Sequence, residues 1–332
     1  MKELIYIYLS NGNGDIIMST PALRLLESGS YIEYRIILKN PFQKEIIEHA
    51  GVNFPVFYFP DRSLRSVLRL IYDIVKNKTR FKSVKIVAPL MPVSRISKLF
   101  IKIAPCKFIL NKSHGWQQGI TLEGIESSHQ VKEMLAFFAR SRMIKLSGSC
   151  NETEYSFVKN NSGKNKNKMV AIGFTCGPAE KHKIPSEEYF AKIINFINEL
   201  DKDYEYLVPF TKSESDWYEK LVCRVNDKNK LRPIIDKKFN ELVNILSECK
   251  FGISGTTGLG HTFAYSGLPV VCLSGVADYR KSGPYTRDIY PIEIKLACSP
   301  CYVHNFSKGC GRMDCMDSID FFEVKEIIKK LL

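Results

Sequence analysis

The sequence predicts a two-domain α/β protein built on parallel sheets, and three observations carry that prediction. At 332 residues the chain is longer than one hydrophobic core comfortably serves, so two domains of roughly 150 residues are the natural division. Short β-branched and aromatic runs alternate with helix-length segments along both halves, the order of a doubly wound α/β domain. The opening run Leu4-Ile5-Tyr6-Ile7-Tyr8-Leu9 has too little polar alternation for a half-exposed strand and reads as a buried strand of a parallel sheet.

That strand enters Asn11-Gly12-Asn13-Gly14-Asp15, a tight loop before a helix. The helix start is marked either near Asp15 or at Thr20-Pro21, since proline suits a first helical turn. Strands follow at residues 34–38, 56–59 and 84–88, with helices at 43–49 and 64–75. Polar, Asn-rich residues 160–168 could serve no core and read as a linker or an exposed hairpin tip, which sets the domains at 1–160 and 161–332. The second half restarts with a strand at 169–174, a helix at 186–199, a strand at 204–209 and helices at 215–226 and 239–247. A further strand runs into Ser254-Gly255-Thr256-Thr257-Gly258-Leu259-Gly260-His261, a short helix leaves this loop, Gly267 and Pro269 end the helix, and a buried strand follows at 270–273.

The composition, 45% hydrophobic and 25% charged, is that of an ordinary folded protein, and no apolar run approaches the roughly 20 residues needed to cross a bilayer. Residues 2–9 lack the long apolar stretch and cleavage site of a secretory signal, so the expected compartment is the cytoplasm. The net charge of +13 is uneven: Lys and Arg outnumber Asp and Glu by 23 to 13 in residues 1–160 and by 25 to 22 in 161–332. Thirteen basic residues from Arg62 to Lys112 face one acid, Asp73. Such a field draws anions, whether phosphorylated glycolipid, an acidic membrane or nucleic acid, unless it is merely a solvated basic face. No aromatic-basic motif of the usual RNA modules is present, which excludes nucleic acid as the expected partner.

Two loops carry chemistry. Glycines in Ser254–His261 let backbone amides approach a ligand, and the helix start adds partial positive charge, as a diphosphate site requires. The spacing is neither G-x-G-x-x-G nor a P-loop, and a tight structural turn is the alternative. Gly14-Asp15 follows the first strand, at the end where open α/β sheets place ligands. A carboxylate there serves either as a helix cap or as a base that takes a proton from an attacking hydroxyl. Of ten cysteines, Cys298, Cys301, Cys310 and Cys315 have a spacing that could enclose a tetrahedral structural metal, although a redox pair and buried thiols are the alternatives.

Together these segments resemble the family 9 glycosyltransferases, best known as heptosyltransferases of the lipopolysaccharide inner core. Gly14-Asp15-Ile16-Ile17-Met18-Ser19-Thr20-Pro21-Ala22-Leu23 is similar to that family's Gly-Asp opening. Residues 254–268 are similar to its Thr-Gly-x-x-His-x-Ala-Ala-x-Gly-x-Pro segment, and the cysteine-rich tail also matches. The resemblance implies a GT-B architecture, two Rossmann-like domains facing across a cleft, with acceptor on the N-terminal side and nucleotide sugar on the C-terminal side. It implies inversion at the anomeric carbon with no cofactor required. Asp15 becomes the general base, and Thr257, Gly258 and His261 contact the diphosphate. Lys181-His182-Lys183-Ile184-Pro185 looks like the family's Lys-x-Trp-Pro, so Lys181 or Lys183 meets donor phosphate. Thr256 stands where the family usually has an Asp that holds the sugar, and Glu214 is the candidate for the ribose. Gly14, Arg62 and Arg65 are the acceptor-side candidates. The implied partners are a nucleotide diphosphate sugar (ADP-heptose) and a lipid-linked phosphorylated glycan on the inner leaflet. Residues 95–102, basic and apolar at near-helical spacing, suit that membrane surface.

Two rival readings keep the fold. A nucleotide-sugar epimerase would turn over donor without acceptor, and a catalytically silent nucleotide-sugar or glycan-binding protein would bind donor without transfer.

Overall fold

The computed structural model describes residues 2–9, 11–26, 31–61, 63–91, 93–112, 116–117, 119–121, 128–145, 167–301 and 314–332. The chain divides into two compact units, Met1–Tyr155 and Ser156–Leu332. The predicted linker at 160–168 and the boundary it set lie, up to residue 166, outside the described residues.

Unit one holds a five-stranded parallel sheet of order β3-β2-β1-β4-β5, comprising β1 (Glu3–Tyr8), β2 (Ile32–Leu38), β3 (Val56–Tyr58), β4 (Ser83–Ala88) and β5 (Lys107–Leu110). The first strand lies at its centre, and Leu4 through Tyr8 are buried, as an unbroken apolar run in a two-sided sheet should be. The helices are α1 (Asn13–Leu23), α2 (Pro41–His49), α3 (Leu64–Lys78), α4 (Arg95–Ile103) and α5 (Gln130–Arg140). Val67, Leu70 and Ile74 of α3 and Phe100 of α4 pack with Leu4, Tyr6, Tyr8 and Ile86 in one core.

Of the two starts the sequence allows for α1, the structure takes the earlier, leaving Pro21 inside the helix. Proline has no N–H for the carbonyl of Ile17. The Thr20 hydroxyl donates to that carbonyl instead, at 2.8 Å. Asp73, the one acid of the basic stretch, accepts from the Tyr6 hydroxyl and lies 3.4 Å from the Arg35 guanidinium.

Unit two holds a six-stranded parallel sheet of order β11-β10-β9-β6-β7-β8: β6 (Met169–Gly173), β7 (Glu205–Phe210), β8 (Leu231–Ile235), β9 (Phe251–Gly255), β10 (Val270–Ser274) and β11 (Ile289–Glu293). Its helices are α6 (Glu187–Leu200), α7 (Ser215–Val222), α8 (Phe239–Leu246), α9 (Gly258–Tyr265), α10 (Tyr279–Ser282) and α11 (Phe321–Leu331). The two edge strands, β8 and β11, are missing from the sequence reading. Each contains a proline, Pro233 and Pro291, which breaks a strand signal yet is tolerated where one side of the strand has no partner.

The packing of α9 on the sheet requires a glycine. A Cβ on Gly252 of β9 would stand 2.5 Å from Phe263 Cδ2, and Phe263 is fully buried. Gly252→Ala is therefore expected to destabilise unit two by about 1–3 kcal/mol through overpacking, read as a lower urea midpoint at unchanged slope. An unchanged midpoint would show that α9 shifts at no cost.

Candidate functional site

Each sheet has one place where successive crossovers change direction, and open α/β sheets bind ligands outside the carboxyl ends of the strands there. In unit one this point lies between β1 and β4. The Asn11 amide, just after β1, donates to the Leu90 carbonyl just after β4, at 3.1 Å. Buried Gln43, near the start of α2, donates to the Asn11 carbonyl at 2.7 Å and accepts from the Lys39 N–H at 2.7 Å. The loop at Asn11, which leads into α1 with Gly14 and Asp15 in its first turn, is thereby fixed from both sides.

Asp15 is the third residue of α1 and half-exposed. Its Oδ2 accepts from the Gly12 N–H at 3.1 Å, and its Oδ1 accepts from the Gln130 side-chain amide at 2.9 Å. The capping reading of this carboxylate holds in part, since it reaches back over the helix start although Gly12 is the cap residue, and its second oxygen is held by another helix. Gln130 opens α5, which packs on α1. It belongs to no motif and is 115 positions from Asp15, so only the fold reveals it. Arg65 lies in α3, exposed, and Arg62 lies outside the described residues.

In unit two the switch point falls between β6 and β9. The loop after β9 is the glycine-rich one the sequence singled out, and the loop after β6 carries the two lysines that the resemblance implies. After β9, Thr256 and Thr257 lead into α9, and both are buried. Thr257 stands at the N-cap of α9 but, among the described residues, makes no side-chain cap bond. Its hydroxyl lies 3.1 Å from Ser254 Oγ, which donates to the Gly173 carbonyl at the end of β6, also at 3.1 Å. Thr257 thus leaves the first-turn amides from Gly258 onward uncapped by its own side chain at the positive end of a helix, an arrangement suited to anions. His261 is buried one turn in, its N–H donating to the Thr257 carbonyl at 3.1 Å.

After β6, residues Pro178–Lys183 form a 3-10 turn that lies directly against β9. A Cβ on Gly255 would come within 2.5 Å of the Lys183 carbonyl. The two lysines differ. Lys181 is exposed, with its ammonium 4.3 Å from the centre of the Trp217 ring. The Lys183 side chain is only 13% exposed and pairs with Glu180. Burial pushes the nearby Cys176 thiol up to about 12, so at neutral pH it is no thiolate nucleophile.

Glu214 follows β7, the next strand outward. Its Oε2 accepts from the Thr211 N–H and hydroxyl, both at 2.8 Å, so as it stands the carboxylate caps its own turn. After β10, Asp278 caps α10, and Arg280 pairs with Asp278 and Glu293.

The expected metal at Cys298, Cys301, Cys310 and Cys315 is not supported. Cys298 is exposed, whereas Cys301 is buried in the main core of unit two and Cys315 packs against it. Cys301 and Cys315 thus take part in apolar packing. Among the described residues, no three His, Cys, Asp or Glu side chains are grouped to hold an ion, and Cys310 lies outside those residues. Among the described residues, too, no helix is long and apolar enough to cross a membrane.

No protein-family profile matches the sequence, and no curated protein matches it. Solved structures do resemble its fold. A glycosyl transferase family 9 structure from Veillonella parvula shares 16% identity at a TM-score of 0.69, covering 99% of this chain and 96% of that one. E. coli ADP-heptose lipopolysaccharide heptosyltransferase II shares 16% at 0.66, covering 100% and 98%. E. coli heptosyltransferase WaaC with ADP shares 13% at 0.62, covering 99% and 100%. The fold is that of these structures, as the loop motifs led one to expect.

His182, in the turn beside the α9 loop, is buried, and its Nε2 has no partner among the described residues. Burial, and after it the Lys183 charge, hold the imidazole below its usual 6.5. The unfolded chain therefore binds more protons just below that pH, and stability from this group is present above about 6.5 and lost as pH falls through the window down to the depressed value. Thermal midpoints should drop between pH 7.5 and 5, and His182→Gln should flatten part of the drop. His49, shifted in the same direction by burial, accounts for another part. Identical profiles for the two proteins would contradict this account of His182.

Proposed function

We propose that this chain is a glycosyltransferase that moves a sugar from a nucleotide diphosphate donor to a hydroxyl acceptor, with inversion and without a metal. The observation that carries the reading is the start of α9, which the Thr257 side chain does not cap, bordered by the Lys183 turn at the switch point of unit two. That site offers backbone N–H groups, a helix dipole and a lysine to one anion, which is what a departing diphosphate needs.

In the proposed reaction Asp15 accepts the proton of the acceptor hydroxyl as that oxygen bonds to the anomeric carbon. The bond from that carbon to the diphosphate breaks, and its electron pair leaves as phosphate charge. The Gly258 amide and its neighbours, His261 and Lys183 stabilise that charge. Lys183 is the better placed of the two candidate lysines, because its own backbone is pressed onto Gly255 while Lys181 lies over Trp217, and Lys183 meets phosphate by giving up its pairing with Glu180. Glu214 reaches ribose only by giving up its bonds to Thr211. Gln130 is a positioning residue that keeps one Asp15 oxygen in place. The heptosyltransferase structures favour ADP-heptose as donor. A lipid-linked phosphorylated glycan of the lipopolysaccharide core or another surface glycan, displayed on the inner leaflet, fits the basic helices of unit one. Thr256 in place of a sugar-holding Asp would then set a different hydrogen-bond pattern on the sugar.

Calorimetry with ADP-heptose, ADP-, GDP- and UDP-hexoses and free ADP tests this. One nucleotide sugar should bind selectively. Asp15→Ala should keep that affinity while losing turnover by about 100-fold or more. Lys183→Ala should weaken donor binding by on the order of 10- to 100-fold, as expected for a charged hydrogen bond. Absence of binding to every donor would sink the proposal, and turnover without any acceptor would replace it with an epimerase.

A further inference from the structure

We infer that the outer face of α3 and α4 in unit one is a docking surface for an anionic lipid bilayer. Leu64, Leu68, Tyr72 and Val75 of α3, and Ile96, Leu99 and Ile103 of α4, are 42–70% exposed. At 3.6 residues per turn, the four on α3 fall within an arc of about 80° and the three on α4 within about 60°. On each helix this exposed apolar stripe adjoins the face the helix buries, with Val67, Leu70 and Ile74 of α3 and Phe100 of α4 turned into the core. The two helices meet at a shallow apolar pocket lined by Val67 of α3 and by Ile96 and Phe100 of α4, so the stripes belong to neighbouring elements on one side of the sheet.

What surrounds the stripes selects the occupant. Arg65, Arg69, Lys76 and Lys78 of α3 and Arg95, Lys98 and Lys102 of α4 are all exposed. Neither helix exposes an acid, because Asp73 is half-buried beneath the Tyr6 hydroxyl and Arg35. A second copy meeting this face with its own would press like charge on like charge. Nucleic acid would satisfy the cations and leave seven apolar side chains in water. An anionic bilayer satisfies both sets at once: Leu, Ile, Val and Tyr enter the acyl boundary while Lys and Arg remain among headgroup phosphates. The surface gives the proposed lipid-linked acceptor a place to be met and takes its purpose from that reading. Its physical basis, exposure and charge, is independent of it.

Co-sedimentation with vesicles tests the inference. The full chain should pellet with vesicles of phosphatidylcholine containing 30% phosphatidylglycerol and remain in solution with phosphatidylcholine alone. Arg95→Ala, Lys98→Ala and Lys102→Ala combined should weaken partitioning on the order of 100-fold, at about fivefold for each charge. Leu99→Ser with Ile103→Ser should weaken it about 10-fold, and so should Leu68→Ser with Tyr72→Ser, which keeps the test alive if one pair fails to fold. Equal pelleting by the variants, no pelleting by the parent protein, or a dimer in light scattering that Leu99→Ser and Ile103→Ser dissolve would overturn the inference. Vesicle binding without nucleotide-sugar binding would leave this surface standing and sink only the donor reading.

Discussion

The Lys183 carbonyl lies 2.5 Å from the place a side chain on Gly255 would occupy, and the candidate site of unit two depends on that contact. With no Cβ at the end of β9, the turn from β6 can lie against the sheet edge. Gly260 repeats the device one helical turn on, where a Cβ would come within 2.7 Å of the Gly255 carbonyl. Three backbone segments therefore converge at one point between adjacent strands. Ser254 secures the same junction with its hydroxyl, bonded to β6 on one side and close to Thr257 on the other. A helix start that its own threonine does not cap follows from this geometry, because the hydroxyl that would cap it is engaged elsewhere.

In unit one the same end of the sheet is held by side-chain amides. Asn11 joins the loops after β1 and β4, and Gln43 ties the first of these to α2. Asp15 then sits on a helix whose start is fixed and whose neighbour α5 supplies Gln130. A carboxylate with both oxygens bonded loses conformational freedom before any ligand arrives, as the proposed role of Asp15 requires. Basic charge accumulates on the far side of the sheet because the single acid of that stretch turns inward to Tyr6.

Much of this was legible in the sequence, for physical reasons that also explain the omissions. Buried parallel strands such as β1, β6, β9 and β10 announce themselves as short apolar runs, and the Gly-rich turn at 255–260 marks a close backbone approach. Edge strands β8 and β11 carry prolines and half-exposed residues, so their pattern resembles loop. The start of α1 stayed open between two positions because the hydroxyl of Thr20, which makes an internal Pro21 tolerable, acts only once the helix exists. The roles of Gln130 and Gln43 come from contacts between segments distant in sequence, which no local pattern encodes. The cysteine spacing fits a metal, yet the described residues do not support one, since Cys301 lies in a hydrophobic core and Cys298 is exposed.

Hydrogen exchange on adding ADP tests the central claim most directly, since it reads the backbone amides that are proposed to hold the diphosphate. The account predicts slowed exchange at residues 258–261 and in the turn at 178–184, with little change at the cavity beside α6 and α11 that Lys192, Asn195 and Lys325 line. Unchanged exchange at 258–261 under saturating ADP, or protection confined to that second cavity, would contradict it.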